Sequence, residues 1–196
     1  RDHVPLDYEF LPKVLKFREA EQQHFATCIK PLLAGRNGRN LFVCGAPGIG
    51  KTAACRWVLR DLEEETSEVV PIYINCWKNN SSFKILTEIC NLLGVRFIVN
   101  KKTPELFEEV KKVLNKKAAA LVLDEVDKLE DFDLIYMFLE DIYRKSLFLI
   151  TNYKETMEKV DERIMSRFNP EFLEFKPYNA AETKGILAER MKFAFV

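Results

Sequence analysis

Between an apolar run, Asn40-Leu41-Phe42-Val43-Cys44, and an amphipathic stretch beginning at Lys51 lies Gly45-Ala46-Pro47-Gly48-Ile49-Gly50-Lys51-Thr52, which fills every position of the pattern G-x-x-x-x-G-K-[ST]. No other feature restricts the fold as much. Glycines at these positions let backbone N–H groups turn inward around a phosphate, the start of the next helix adds a positive dipole end, and Lys51 brings a mobile charge for β- and γ-phosphates. The hydroxyl of Thr52 is placed to meet Mg²⁺. A glycine-rich turn with a chance lysine is the competing reading. Against it stand a strand pattern before the loop and a helix pattern after it.

The rest of the chain alternates short β-rich apolar runs with longer amphipathic stretches. Residues 1–17, with Pro5 and Pro12 among aromatics, read as an irregular covering arm. Helices are expected over Glu19–Leu33, Lys51–Glu65, Ser81–Leu93, Pro104–Lys117 (with Thr103 as N-cap) and Phe132–Arg144, and from near Asn179 onward. Strands are expected over Asn40–Cys44, Val69–Asn75, Ala118–Asp124, Leu147–Thr151 and Phe172–Phe175. Strands apolar on both faces and alternating with helices predict a parallel sheet covered on both sides, with ligands beyond the carboxyl ends of its strands.

Two of those carboxyl ends carry chemistry. Ala118–Asp124 delivers Asp124 and Glu125 side by side: Asp124 suits Mg²⁺ through its water shell, and Glu125 suits polarising a water at the γ-phosphate. An acidic pair ending a strand in solvent is the plain alternative. Asp127 reads as a helix cap or salt-bridge partner. The strand Leu147–Thr151 ends at Asn152, which would orient that water if the strand lies between the other two, or else is an ordinary turn residue. Arg163 and Arg167, four apart, share a face on a helix. Arginine supplied to a neighbouring nucleotide stabilises phosphoryl transfer, whereas Arg163 has Asp161 and Glu162 at hand as local partners.

Composition sets outer limits. With 196 residues the chain has room for about one domain, and 47% hydrophobic with 31% charged residues excludes the disordered and low-complexity classes. Thirty Lys+Arg against thirty Asp+Glu give a net charge of +0, so a polyanion must be met locally. No apolar run reaches the ~18–20 residues of a membrane span, and the first residues lack a signal peptide's apolar stretch. No membrane partner is therefore expected. A first residue that is Arg suggests an excised or processed chain. Five cysteines (28, 44, 55, 76, 90) form no C-x-x-C pair and have no adjacent histidine, which fits reduced, buried thiols in an intracellular, reducing setting better than a disulfide or zinc framework.

Phosphate loop, Asp-Glu strand, Asn-tipped strand and the Ser166-Arg167-Phe168 element, in this order, resemble the AAA+ ATPases. Two flanking segments narrow the resemblance. Asp7-Tyr8-Glu9-Phe10-Leu11-Pro12, with Leu15 and Arg18-Glu19-Ala20-Glu21, resembles the adenine-covering arm of the origin recognition complex and cell-division-control replication initiators of archaea and eukaryotes. Phe175-Lys176-Pro177-Tyr178-Asn179-Ala180-Ala181-Glu182, followed by Ile186–Arg190, resembles that family's passage into its helical lid.

The resemblance implies an α/β three-layer core with a five-stranded parallel sheet in the order 5-1-4-3-2, an arm at 1–18, a nucleotide-binding core at 19–177 and the start of a lid at 178–196. It implies ATP or ADP with Mg²⁺ as cofactors. Nucleotide contacts fall to Leu11, Pro12 and Arg18 and to Ala46, Pro47, Gly48, Ile49, Gly50, Lys51, Thr52 and Ala53; metal contacts fall to Thr52 and Asp124; catalytic roles fall to Lys51, Glu125, Asn152 as sensor and Arg167 as the finger in trans, with Arg163 second. Implied partners are origin double-stranded DNA, met mainly by a lid and winged helix not visible in these residues, other initiator or helicase subunits, and a neighbouring AAA+ subunit. The compartment would be cytoplasmic in an archaeon and nuclear in a eukaryote. The segment at 79–100 stands where initiators carry an insertion that touches DNA, whereas the lysines at 101, 102, 111, 112, 116 and 117 read as a solvated face. The function so implied is slow, switch-like ATP hydrolysis governing origin recognition. Rival readings are a clamp-loader-like or transposition-type AAA+ motor and a nucleotide-stabilised docking module. The absence of an Asn-Lys-x-Asp guanine motif favours adenine.

Overall fold

The computed structural model describes residues 15–194. Five strands, β1 (Leu41–Cys44), β2 (Val69–Asn75), β3 (Ala118–Asp124), β4 (Lys145–Ile150) and β5 (Glu171–Glu174), form one parallel sheet in the order β2-β3-β4-β1-β5. This is the expected order read from the other edge. Seven α-helices accompany them among the described residues: α1 (Glu19–Leu33), α2 (Lys51–Glu65), α3 (Ser82–Leu92), α4 (Thr103–Leu114), α5 (Asp133–Asp141), α6 (Glu162–Phe168) and α7 (Ala180–Ala194).

Strand alternation divides the core into two layers. Val43, Ala120, Val122, Phe148 and Ile150 pack with Phe25 and Ile29 of α1 and Val58 and Leu59 of α2 on one face. Phe42, Leu121, Leu123, Leu147 and Leu149 meet Ile89, Phe107, Phe138 and Ile164 from α3 to α6 on the other. Every residue of β1, β3 and β4 is buried, because these strands have helices above and below and neighbours on both sides. The edge strand β5 is different. Its residues alternate between half-buried and exposed, with Phe172 left outside.

Several boundaries differ from expectation for identifiable reasons. The helix placed at Pro104–Lys117 starts at Thr103 and ends at Leu114, and Thr103 is not its N-cap: the Glu105 carboxylate accepts from the Lys102 N–H at 2.7 Å, so the cap lies one residue earlier. Helix α5 stops at Asp141, three residues short of Arg144, where the chain extends and Tyr143 N–H donates to the Asn115 side chain. Strand β4 begins two residues early at Lys145, since Asn37 and Asn40 side chains accept from Lys145 N–H and Leu147 N–H. Helix α6 sits where two arginines were expected to share a face, capped by Asp161 accepting from Arg163 N–H at 2.7 Å.

Candidate nucleotide site

The parallel sheet brings the loop after β1, Asp124 at the end of β3 and Asn152 beyond β4 to one end of the molecule. Because β4 lies between β1 and β3, Asn152 falls between the loop and the acidic pair. Gly50 precedes α2 with φ of 92°, and the N–H groups of Lys51, Thr52 and Ala53, in the first helical turn, have no carbonyl within the helix to meet. These donors and the helix dipole make an anion seat. A side chain at Gly50 would bring its Cβ to 2.7 Å from the Tyr178 hydroxyl, and one at Gly45 to 2.6 Å from the Phe175 carbonyl oxygen. Both glycines therefore let the passage into α7 close on the loop.

Lys51 is 6% exposed, and its ammonium donates to the carbonyls of Gly45 and Ala46 at 2.8 and 2.9 Å and to Asn152 Oδ1 at 2.7 Å. Burial pulls its pKa below the usual lysine value, against the nearby charges of Asp124 and Glu125, which act to raise it. Asp124, 2% exposed, accepts from Thr52 Oγ1 at 2.5 Å and the Tyr73 hydroxyl at 2.8 Å on one oxygen and from Glu125 N–H at 2.9 Å on the other. Two hard oxygen donors, Thr52 Oγ1 and Asp124 Oδ2, thus stand together, a set suited to Mg²⁺. Glu125 has a left-handed backbone, φ 57°, which turns the chain sharply as the strand ends. A cavity of about 700 Å³ lined by Thr52, Arg56, Tyr73, Asn75, Trp77 and Glu125 opens beside this pair, within the size range of nucleotide-sized ligand pockets.

Arg18 closes the loop's other side. Nε and Nη2 donate to the Ile49 carbonyl at 3.1 and 2.8 Å, Nη2 also to the Lys176 carbonyl at 2.7 Å, and Nη1 pairs with Glu21 at 2.6 Å. The guanidinium stacks 4.0 Å from the Tyr178 ring centroid and 5.0 Å from that of Phe175. Arg18 therefore ties the phosphate loop to the segment leading into α7, while Lys16 pairs with Glu189 on that helix. Leu11 and Pro12 lie outside the described residues.

The arginines of α6 are both paired. Arg163 is held by Asp161 at 3.1 Å on an exposed surface, whereas Arg167 pairs with Glu140 and lies 5.0 Å over the Tyr136 ring. Asp127 is a salt-bridge partner of Lys128 at 2.9 Å and also accepts from Thr151. Lys101 and Lys112 share Glu109, Lys111 pairs with Glu108, and Lys117 donates to the Ser67 carbonyl, the behaviour of a solvated face. All five cysteines are free and buried. No described helix is long and apolar enough to cross a membrane.

Sequence reasoning missed Tyr73. Its signal was register: Asn75 pairs with Asp124, so Tyr73, two residues earlier, stands on the same face of the neighbouring strand. Tyr178 was quoted only as part of a lid segment, although its ring covers Arg18.

The chain is similar in sequence and fold to known proteins. An ORC1-type DNA replication protein of Thermoplasma volcanium is 31% identical over 207 aligned residues, covering 97% of this chain and 50% of that protein. The structure of the Aeropyrum pernix ORC1 protein in complex with DNA superposes with a TM-score of 0.89 at 32% identity, over 100% of this chain and 55% of that one. Cdc6p of Pyrobaculum aerophilum, at 21% identity and a TM-score of 0.86 over 98% of this chain and 54% of its own, shares the fold. The chain spans about half the length of the curated relatives it matches. The AAA domain profile matches residues 35–156, from the turn before β1 to the segment after Asn152, and the chain belongs to that family.

Proposed function

We propose that this chain is the ATP-binding and hydrolysing core of a DNA replication initiator whose grip on origin DNA is under ATP control. The observation that carries the reading is the joining of Lys51, Asn152, Thr52 and Asp124 at the carboxyl ends of β1, β3 and β4, in a chain similar to ORC1-type replication proteins along nearly its whole length.

Lys51 is held in place by loop carbonyls and exchanges these for β- and γ-phosphate oxygens when nucleotide enters. Thr52 and Asp124 would hold Mg²⁺, which would supply charge neutralisation on the phosphates. Glu125 polarises the attacking water and Asn152 orients it. Arg18, with Leu11 and Pro12 of the arm, walls the adenine side. Because its guanidinium already joins loop and lid passage, nucleotide binding there is coupled to the position of α7. Arg167, released from Glu140, serves a neighbouring subunit's nucleotide, with Arg163 as the second candidate. Neutral net charge agrees with DNA being held mainly by residues beyond this chain, while the 79–100 segment, which exposes Phe97 and Val99, offers a local contact.

The test uses the whole protein that contains this chain: origin DNA binding measured with ATP, with GTP and without nucleotide, for wild type and Lys51→Ala. Binding that depends on ATP, is lost in Lys51→Ala and is not restored by GTP is expected. DNA binding indifferent to nucleotide, or ATP turnover at a continuous motor's rate, would overturn the initiator reading. Arg167→Ala should lower turnover while sparing ATP affinity.

A further inference from the structure

His24 and Cys28 stand four residues apart on α1, the spacing that stacks two side chains on one helical face. Both reach the same oxygen of Glu171, at the amino end of β5: His24 Nε2 lies 2.8 Å and Cys28 Sγ 3.9 Å from Oε2. The ligand-type atoms of all three residues lie within 4.8 Å of one another. Arg39 donates to the other carboxylate oxygen, Oε1, at 2.9 Å. That bond fixes the carboxylate's rotation and leaves Oε2 turned towards imidazole and thiol, the outer-shell arrangement that orients metal-ligating carboxylates.

We propose that His24, Cys28 and Glu171 form a zinc-binding site with water in the fourth position. Imidazole nitrogen, thiolate sulfur and carboxylate oxygen are the three ligand types zinc takes, at bond lengths of roughly 2.0–2.3 Å. Tetrahedral edges are then about 3.4–3.6 Å, so the N–O distance opens by about 0.6 Å, the S–O distance closes by about 0.3 Å, and the N–S distance, at most 4.8 Å, closes by up to about 1.2 Å. Sulfur and imidazole select zinc over the hard ions that suit Thr52 and Asp124.

On binding, the Cys28 thiol gives its proton to solvent, the neutral imidazole of His24 coordinates through Nε2, and thiolate and carboxylate together balance the ion's double charge. Cys28 is buried, whereas the side chains of His24 and Glu171 are 31% and 38% exposed. The ion therefore enters from their side and keeps its water there. Its effect is to pin α1 to β5 at one end, while Arg18 joins the start of α1 to the Lys176 carbonyl just beyond β5 at the other. The linear order offers an odd number of widely spaced cysteines with no C-x-x-C pair and no histidine beside them, which argues against zinc; the helical turn supplies the adjacency that this order lacks.

Cobalt and zinc titrations of the purified, reduced, metal-free chain test the site. Cobalt is expected to give a near-ultraviolet thiolate-to-metal absorption saturating at one equivalent, which zinc then bleaches. Cys28→Ser and His24→Asn should each abolish it, and Arg39→Gln should weaken zinc affinity about 10- to 100-fold through loss of carboxylate orientation. Thermal melts check that the variants fold; should Cys28→Ser fail to fold, His24→Asn, at a partly exposed position, decides. Absence of the band together with no zinc uptake in competition with a chromophoric chelator overturns the proposal. So does a band that survives His24→Asn.

Discussion

Arg18→Met is the perturbation whose cost follows most directly from the geometry. It keeps most of the apolar stem and removes three hydrogen bonds to the Ile49 and Lys176 carbonyls, the pair with Glu21 and the stacking on Tyr178 and Phe175. Arg18 and Glu21 side chains are 5% and 17% exposed, so truncation strands a largely buried carboxylate. Breaking a buried pair in this way costs about 3–5 kcal/mol. Because Glu21 retains some contact with water, we take the lower end, about 3 kcal/mol. At about 2–4 °C per kcal/mol for a domain of this size, the melting temperature should fall by about 6–12 °C. Urea unfolding followed by circular dichroism gives the free energy, and Arg18→Met combined with Glu21→Met should recover at least about 1 kcal/mol by removing the stranded charge. A loss below about 1 kcal/mol, or a double variant no more stable than Arg18→Met, would refute the idea that this arginine clamps the loop to the passage into α7.

Two further outcomes are expected. Tyr73→Phe removes one of the donors holding Asp124, and a hydrogen bond to a charged acceptor is worth about 1.5–3 kcal/mol; urea unfolding should show a loss of that size, and a loss under about 0.5 kcal/mol would show Asp124 held without it. Burial, reinforced by Glu171, pushes the Cys28 thiol up to about 11, and the other four thiols are also raised by burial. Only about one Cys28 in a thousand is thiolate at pH 8 in the metal-free chain, so with metal removed by chelator a disulfide reagent should label the native chain slowly, about tenfold faster per pH unit, and reach five thiols in urea; rapid native labelling would contradict this burial.

Much of the fold was legible because periodicity and punctuation agreed. Helices Glu19–Leu33 and Lys51–Glu65 and strands Val69–Asn75 and Ala118–Asp124 have the expected bounds, since their ends are marked by glycine turns, the phosphate loop or the switch from apolar to acidic residues. Strand β4 starts two residues before the expected Leu147, at two polar residues that apolar periodicity passes over; buried carbonyls satisfy both, Ile142 for Lys145 and Cys28 for Ser146. At the site, Lys51 and Thr52 could be read from the loop motif that opens α2, and Asp124 and Asn152 from their places at the end of β3 and just beyond β4. The contributions of Tyr73 and of Arg18's reach to Lys176, 158 positions away, depend on strand register and on chain closure, which spacing does not encode.

The central claim is that the loop at 45–52 and the strand ends beside it bind Mg²⁺-ATP. Calorimetric titration of ATP in the presence of Mg²⁺ into the wild-type chain and Lys51→Ala, both checked by melting, tests it most directly. Lys51 stands in the loop with its charge held by groups that phosphate oxygens replace, and a charge-assisted contact of about 1.5–3 kcal/mol corresponds to about a 10- to 150-fold loss of affinity in the variant. Equal affinity in the two proteins, or a wild-type chain that binds no ATP, would contradict the account.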